Sequence, residues 1–263
     1  KFTKDAVAIT DKTTSAGNWE TLDLPHTWNG DDGQDGGSDY YRGTCYYAKN
    51  LSKAEVAEGK EVYIEFEAAN SSAELFVNGE SVAKHDGGYS TWRANITSYL
   101  KEENEIVVAV DNAPNDHVYP QNADFTFYGG LYRKVSLLLV DETRFDLDYY
   151  GSPAIKVTPE VTGQDAKITT EVYLTNAGSQ EELVYTITDG DTVVDTVTVC
   201  ADQTKAEQTI TNVHLWNGRK DPHLYTAEVA LKRNDTVLDE RSTRFGCRTF
   251  AIDPEKGFFL NGE

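Results

Sequence analysis

Residues 61–67, EVYIEFE, set apolar Val62, Ile64 and Phe66 between Glu61, Glu65 and Glu67. A period of two marks a strand with one face buried and the other in water. A few residues on, 75–82 read LFVNGESV, two short strands about Asn78-Gly79. Asn-Gly is a strong hairpin signal because both residues tolerate the positive φ of a type I′ turn. Ile106–Val110 and Val135–Val140 are nearly unbroken apolar runs, which suits inner strands of a packed sheet better than its edge. Sustained helical periodicity is nearly absent, so about the first 140 residues are predicted to fold as a β-sandwich.

A second series follows Asp141-Glu142-Thr143-Arg144 and the Gly151-Ser152-Pro153 break. Candidate strands recur at Ala166–Leu174, Leu183–Thr188, Val193–Val199, Glu207–Thr211, Tyr225–Lys232 and Val237–Phe245, divided by Asn-, Gly- and Asp-containing turns. Roughly seven short strands in about 100 residues is the spacing of an immunoglobulin-like sandwich. The Cys-Trp-Cys trio of antibody domains is missing, and Trp216 and Tyr225 are expected to supply core aromatics instead. A chain of 263 residues is long for one domain and fits two.

Lys and Arg total 24 against 44 Asp and Glu, a formal charge of −20. That field repels phosphate backbones and anionic lipid, so neither nucleic acid nor a membrane is an expected partner, whereas a neutral sugar is not disfavoured. Cys45, Cys200 and Cys247 lack CxxC spacing, which suggests buried free thiols rather than a disulfide framework or a zinc site. His26, His85, His117, His214 and His223 show no metal-ligand spacing and read as structural, and there is no GxSxG nucleophile elbow. Residues 30–39 concentrate Asp31, Asp32, Asp35 and Asp39, but the spacing fails the calcium-loop pattern and a solvated loop is expected. No metal and no cofactor is called for. No apolar run approaches the length of a membrane helix, and Lys1-Phe2-Thr3-Lys4 is no signal peptide. The expectation is a soluble chain, cytoplasmic or secreted, with a trimmed secretion signal left open by the start without Met.

Two stretches go beyond fold. Asp111-Asn112, Tyr119-Pro120-Gln121 and Asp124-Phe125-Thr126-Phe127-Tyr128-Gly129-Gly130-Leu131-Tyr132-Arg133 closely resemble the end of the N-terminal sugar-binding domain of glycoside hydrolase family 2. Leu24-Pro25-His26-Thr27-Trp28, Asp39-Tyr40-Tyr41-Arg42-Gly43 and Asn95-Ile96-Thr97-Ser98-Tyr99-Leu100 stand upstream in that family's order. Leu215-Trp216, Pro222-His223-Leu224-Tyr225 and Arg244-Phe245-Gly246-Cys247-Arg248 look like its immunoglobulin-like second domain. The resemblance implies an all-β chain: a jelly-roll, galactose-binding-like β-sandwich over 1–142, then an immunoglobulin-like β-sandwich over 143–251. Residues 252–263 would open a (β/α)8 catalytic barrel that lies outside this sequence. There GFFLNGE, 257–263, would form one arm of a hairpin whose other arm belongs to the barrel, and here it would be poorly ordered or packed on the second sandwich.

Glycoside hydrolysis needs two carboxyl groups flanking the scissile bond. The resemblance puts both on barrel strands, so no catalytic residue is assigned here and the chain alone is expected to be inactive. Asp124 is the one site residue: by resemblance to β-galactosidases it reaches the pocket and binds sugar hydroxyls, while the plainer reading has it capping a turn before Phe125. Gly129 and Gly130 are expected to serve a turn or close strand packing, and Arg133 to pair with a buried carboxylate rather than to contact sugar. Trp19, Trp28, Tyr89, Trp92, Tyr119 and Tyr128 could offer a sugar their ring faces, though aromatics in sandwiches are usually buried. Three readings stand: the non-catalytic front of a family 2 glycosidase, with a β-galactosidase favoured and β-glucuronidase type also covered; an independent carbohydrate-binding module; and a structural adhesion segment. The partners implied are a carbohydrate, the chain's own barrel and possible further copies in a homo-oligomer.

Overall fold

The structure is a computed structural model and describes residues 1–32, 40–52, 56, 59–119 and 126–263. They form two compact units, Lys1–Asp141 and Glu142–Glu263.

The first unit contains β1 (Phe2–Thr3), β2 (Thr44–Ser52), β3 (Glu61–Phe66), β4 (Ser72–Val77), β5 (Glu80–Asp86), β6 (Trp92–Asn95), β7 (Glu103–Asp111) and β8 (Val135–Val140). One antiparallel sheet runs β1-β2-β7-β4-β5 and a second runs β6-β3-β8, the two layers of the jelly-roll sandwich. Their inner faces share a core that includes Leu51, Ile64, Phe66, Leu75, Trp92 and Val108. Val62, Ile64 and Phe66 of EVYIEFE are buried as the alternation predicts, Tyr63 on the opposite face is buried as well, and Phe66 stacks on its cross-strand neighbour Trp92 at 4.2 Å. Asn78 (φ +53°) and Gly79 (φ +86°) close the β4–β5 hairpin as the sequence predicts. A methyl group on Gly79 would come within 2.8 Å of the Thr10 backbone, so the turn admits no side chain there.

β7 lies between β2 and β4, the inner position expected of Ile106–Val110. The same expectation fails for Val135–Val140. Among the described residues β8 pairs with β3 alone, and Leu137 and Leu139 are 39% and 40% exposed. An apolar run specifies two buried faces only when a second layer covers the outer one.

The second unit contains β9 (Arg144–Phe145), β10 (Ile155–Thr162), β11 (Asp165–Val172), β12 (Leu174–Thr175), β13 (Glu182–Asp189), β14 (Thr192–Cys200), β15 (Lys205–Ile210), β16 (Tyr225–Arg233), β17 (Thr236–Phe245), β18 (Phe250–Asp253) and β19 (Gly257–Leu260). Sheets β10-β11-β15 and β14-β13-β16-β17 make the immunoglobulin-like sandwich. β10 was not among the predicted strands. It carries Pro159, which a strand tolerates at a sheet edge, and an edge is where β10 lies. Tyr225 enters the core as expected, but Trp216 does not. It is half-buried beneath Arg248, whose guanidinium carbon is 4.8 Å from its ring, and Phe145 and Tyr185 fill the interior instead.

Cys45 and Cys247 are buried free thiols, and burial pushes them up to about 12 and about 11, while Cys200 is partly exposed. Among the described residues no helix is long and apolar enough to cross a membrane.

Candidate functional site

Asp124 lies in 120–125, outside the described residues, as do Asp35 and Asp39 of the acidic loop. The described residues flanking both stretches meet around one buried amide. Asn29 Oδ1 accepts from the Gly129 N–H at 2.8 Å and from Asn112 Nδ2 at 3.1 Å. Its Nδ2 donates to Asp32 Oδ2 at 2.5 Å and to the Tyr41 carbonyl at 3.0 Å, so the amide's full capacity of two donors and two acceptors is used. Asn112 Oδ1 accepts from Gly43 N–H at 2.9 Å. The Tyr40 hydroxyl donates to the Phe127 carbonyl at 2.7 Å and accepts from the Phe127 N–H at 3.1 Å. The stretches 29–32 and 40–43 are thereby held in one rim with Asn112 and 127–129, which lie 69 to 100 residues from them.

Glycines make this closeness possible. A Cβ on Gly129 would stand 2.3 Å from Trp28 Cζ2 and 2.7 Å from Asn112 Nδ2. Gly130 has φ +120° and a Cβ there would meet the His26 carbonyl at 2.7 Å. Both glycines therefore serve backbone packing, as the sequence suggests. His26 accepts or donates at Nδ1 to the Tyr47 hydroxyl, 2.8 Å away, and burial holds its pKa below the usual histidine value.

Two expectations are corrected here. Asp32 is not solvated: it is buried, and its carboxylate bonds Asn29 and the Tyr41 N–H inside the rim. Arg133 does not pair with a buried carboxylate. Its side chain is exposed, Nη1 donates to the Tyr89 carbonyl at 3.2 Å, and the guanidinium carbon lies 5.5 Å from the Tyr132 ring centre. The candidate aromatics divide: Trp28 and Trp92 are buried, Trp19 and Tyr119 are half-buried, and Tyr89 and Tyr128 are exposed. Tyr89 stacks on Tyr119 at 5.2 Å and meets the edge of Tyr132 at 6.3 Å.

Elsewhere the chemistry is sparse. A cavity of about 570 Å³ opens beside the first core, lined by Leu22, Leu51, Phe66, Val108 and Leu137 with Asp23 as its one carboxylate, which is not the two-carboxyl arrangement of a glycosidase. In the second unit His214 bonds Asp221 at 2.6 Å and stacks on His223 at 3.9 Å, so both rings serve local structure. Among the described residues no group of three or more His, Cys, Asp or Glu side chains could hold a metal.

Two family models match. The one described as "Glycosyl hydrolases family 2, sugar binding domain" covers residues 34–141, and the one described as "Glycosyl hydrolases family 2" covers 153–248. A β-glucuronidase of Bacteroides fragilis is 36% identical over 259 residues, 94% of this chain and 37% of that protein. A β-galactosidase of Thermoanaerobacter pseudethanolicus is 29% identical over 261 residues, 94% of this chain and 34% of that protein. The crystal structure of an FMN-binding β-glucuronidase from Facaelibacterium prausnitzii L2-6 superposes with a TM-score of 0.86 at 39% identity, over 93% of this chain and 38% of that one. The chain thus spans little more than a third of the length of these relatives.

Proposed function

This chain belongs to glycosyl hydrolase family 2, and from that premise we propose that it is the non-catalytic front part of a retaining enzyme that cleaves O-glycosidic bonds. In this reading 1–142 is the sugar-binding-type sandwich, 143–251 the immunoglobulin-like sandwich, and 252–263 the approach to a (β/α)8 barrel carrying both catalytic carboxyls. Asp124 reaches into the barrel's pocket and accepts hydrogen bonds from substrate hydroxyls, which its charge strengthens about twofold over a neutral acceptor. The observation that carries the reading is the bonded rim about Asn29, which anchors Asn112 before 120–125 and Phe127 and Gly129 after it. Loops held by a rigid sandwich are where binding groups are usually presented.

A β-glucuronide is the first substrate reading, supported by the two β-glucuronidases above, at 36% and 39% identity against 29% for the Thermoanaerobacter pseudethanolicus β-galactosidase. A β-galactoside is the second, favoured by the likeness of residues 123–133 to β-galactosidases. The test is turnover of chromogenic β-glucuronide and β-galactoside by the full-length protein, by its Asp124→Ala variant and by residues 1–263 alone. The full-length enzyme should cleave one of them, Asp124→Ala should lower kcat/KM by about 10²-fold, and the isolated chain should cleave neither. Unchanged activity in the variant removes Asp124 from the pocket. A full-length protein that hydrolyses neither sugar, or an active isolated chain, overturns the reading.

A further inference from the structure

Beside the rim, Tyr89, Tyr119, Tyr132 and Arg133 form a surface that the function above does not use. Tyr119 is fixed from behind by its hydroxyl bond to Asn70 Oδ1 at 3.0 Å, and the Tyr132 hydroxyl donates to the Gly88 carbonyl. Gly88 is required at that point, since a Cβ there would lie 2.2 Å from Asn70 Oδ1. Tyr89 rests on this base with an interplanar angle of 18° to Tyr119, and 51% of its surface is exposed. One ring face is covered and the other is open. Arg133 is anchored by a single N–H to the Tyr89 carbonyl, and no carboxylate among the described residues pairs with it. Cation and open ring therefore both flank Tyr132, on a chain whose net charge is −20.

An open, pre-stacked tyrosine face suits the C–H face of a pyranose, and a planar guanidinium with unused donors suits a carboxylate. We infer that Tyr89 and Arg133 form an accessory subsite for a uronic-acid residue of a glycan, Tyr89 taking the ring and Arg133 the C6 carboxylate. The inference rests on the proposed function for the sugar being acidic, and on this surface alone for the place of binding. Because the tyrosines are anchored before any ligand arrives, binding orders few side chains.

The chain of residues 1–263 is titrated, with NMR as readout, against methyl β-D-glucuronide and methyl β-D-glucoside, which differ only at C6. The glucuronide should bind in the millimolar range and about tenfold more tightly than the glucoside, with the preference shrinking at about 0.5 M salt. Arg133→Gln should bring the glucuronide down to the glucoside, and Tyr89→Ala should weaken both. Both side chains are exposed, so unchanged melting temperatures are the control for folding. Equal binding of the two sugars, binding of neither, or a preference that survives Arg133→Gln overturns the subsite. If that happens while the full-length enzyme still cleaves glycosides, the proposed function stands without it. If the chain binds as expected and the full-length protein cleaves nothing, the subsite stands and the enzyme reading falls.

Discussion

At the scale of single residues, the rim depends on what is small and what is amide. Trp28 and Asn112 occupy the space a Gly129 side chain would need, and both are buried, with Asn112 Nδ2 held by its bonds to Asn29 Oδ1 and the Tyr41 carbonyl. Gly129→Ala should therefore destabilise the first unit by about 2 kcal/mol through overpacking, read as a lower denaturant midpoint with an unchanged slope. No change in midpoint would mean that Trp28 moves aside at little cost. Asn29 and Asn112 were not singled out from the sequence, although Asp111-Asn112 lies inside the quoted family motif. An Asn beside a Gly reads as a turn residue. Its role as a buried junction depends on a partner 83 residues away, which no local pattern reveals.

At the scale of elements, the chain's last strands add a pairing that the sequence reading lacks. Phe258–Leu260 have an arm within this chain: β19 pairs with β18, Ile252 opposite Phe258. Asn261, at φ +55°, bonds the Thr249 N–H through Oδ1 and the Trp216 carbonyl through Nδ2, each at 3.0 Å. The Asn-Gly turn therefore follows the β18–β19 hairpin. The loop entering β13 contributes a pH dependence to the stability of this unit. Glu181, 3% exposed, accepts from the Gly178 N–H at 2.7 Å and from Arg233 Nη2 at 2.6 Å. The backbone bond first, and then Arg233, hold its pKa below the ordinary carboxylate value. A depressed folded pKa stabilises above the unfolded value and is lost as pH falls through the folded one. The melting temperature should thus fall on acidification from about pH 5 to about pH 3, and fall less in Glu181→Gln. Parallel acid limbs for the two proteins would show that Glu181 does not supply this dependence.

At the scale of the whole chain, charge and pattern act differently. A net charge of −20 destabilises the compact state by self-repulsion, which ions screen over a Debye length of about 10 Å at 0.1 M salt. Added sodium chloride up to about that concentration should raise the melting temperature, and a fall would point to attractive pairs such as Arg93–Glu65 (2.6 Å) outweighing the repulsion. The sequence by itself determined the all-β class, the β4–β5 turn and the inner place of Ile106–Val110, because alternation and φ preference are local properties. Its motifs also carried the family. Tertiary structure alone decided that β8 lies at an edge, that Trp216 stays outside the core, that Asp32 turns inward and that Arg133 faces solvent. Each of those outcomes depends on which neighbour a side chain meets in the folded chain, and for all but Asp32, whose partners Asn29 and Tyr41 lie three and nine residues away, that neighbour is set by distant parts of the chain.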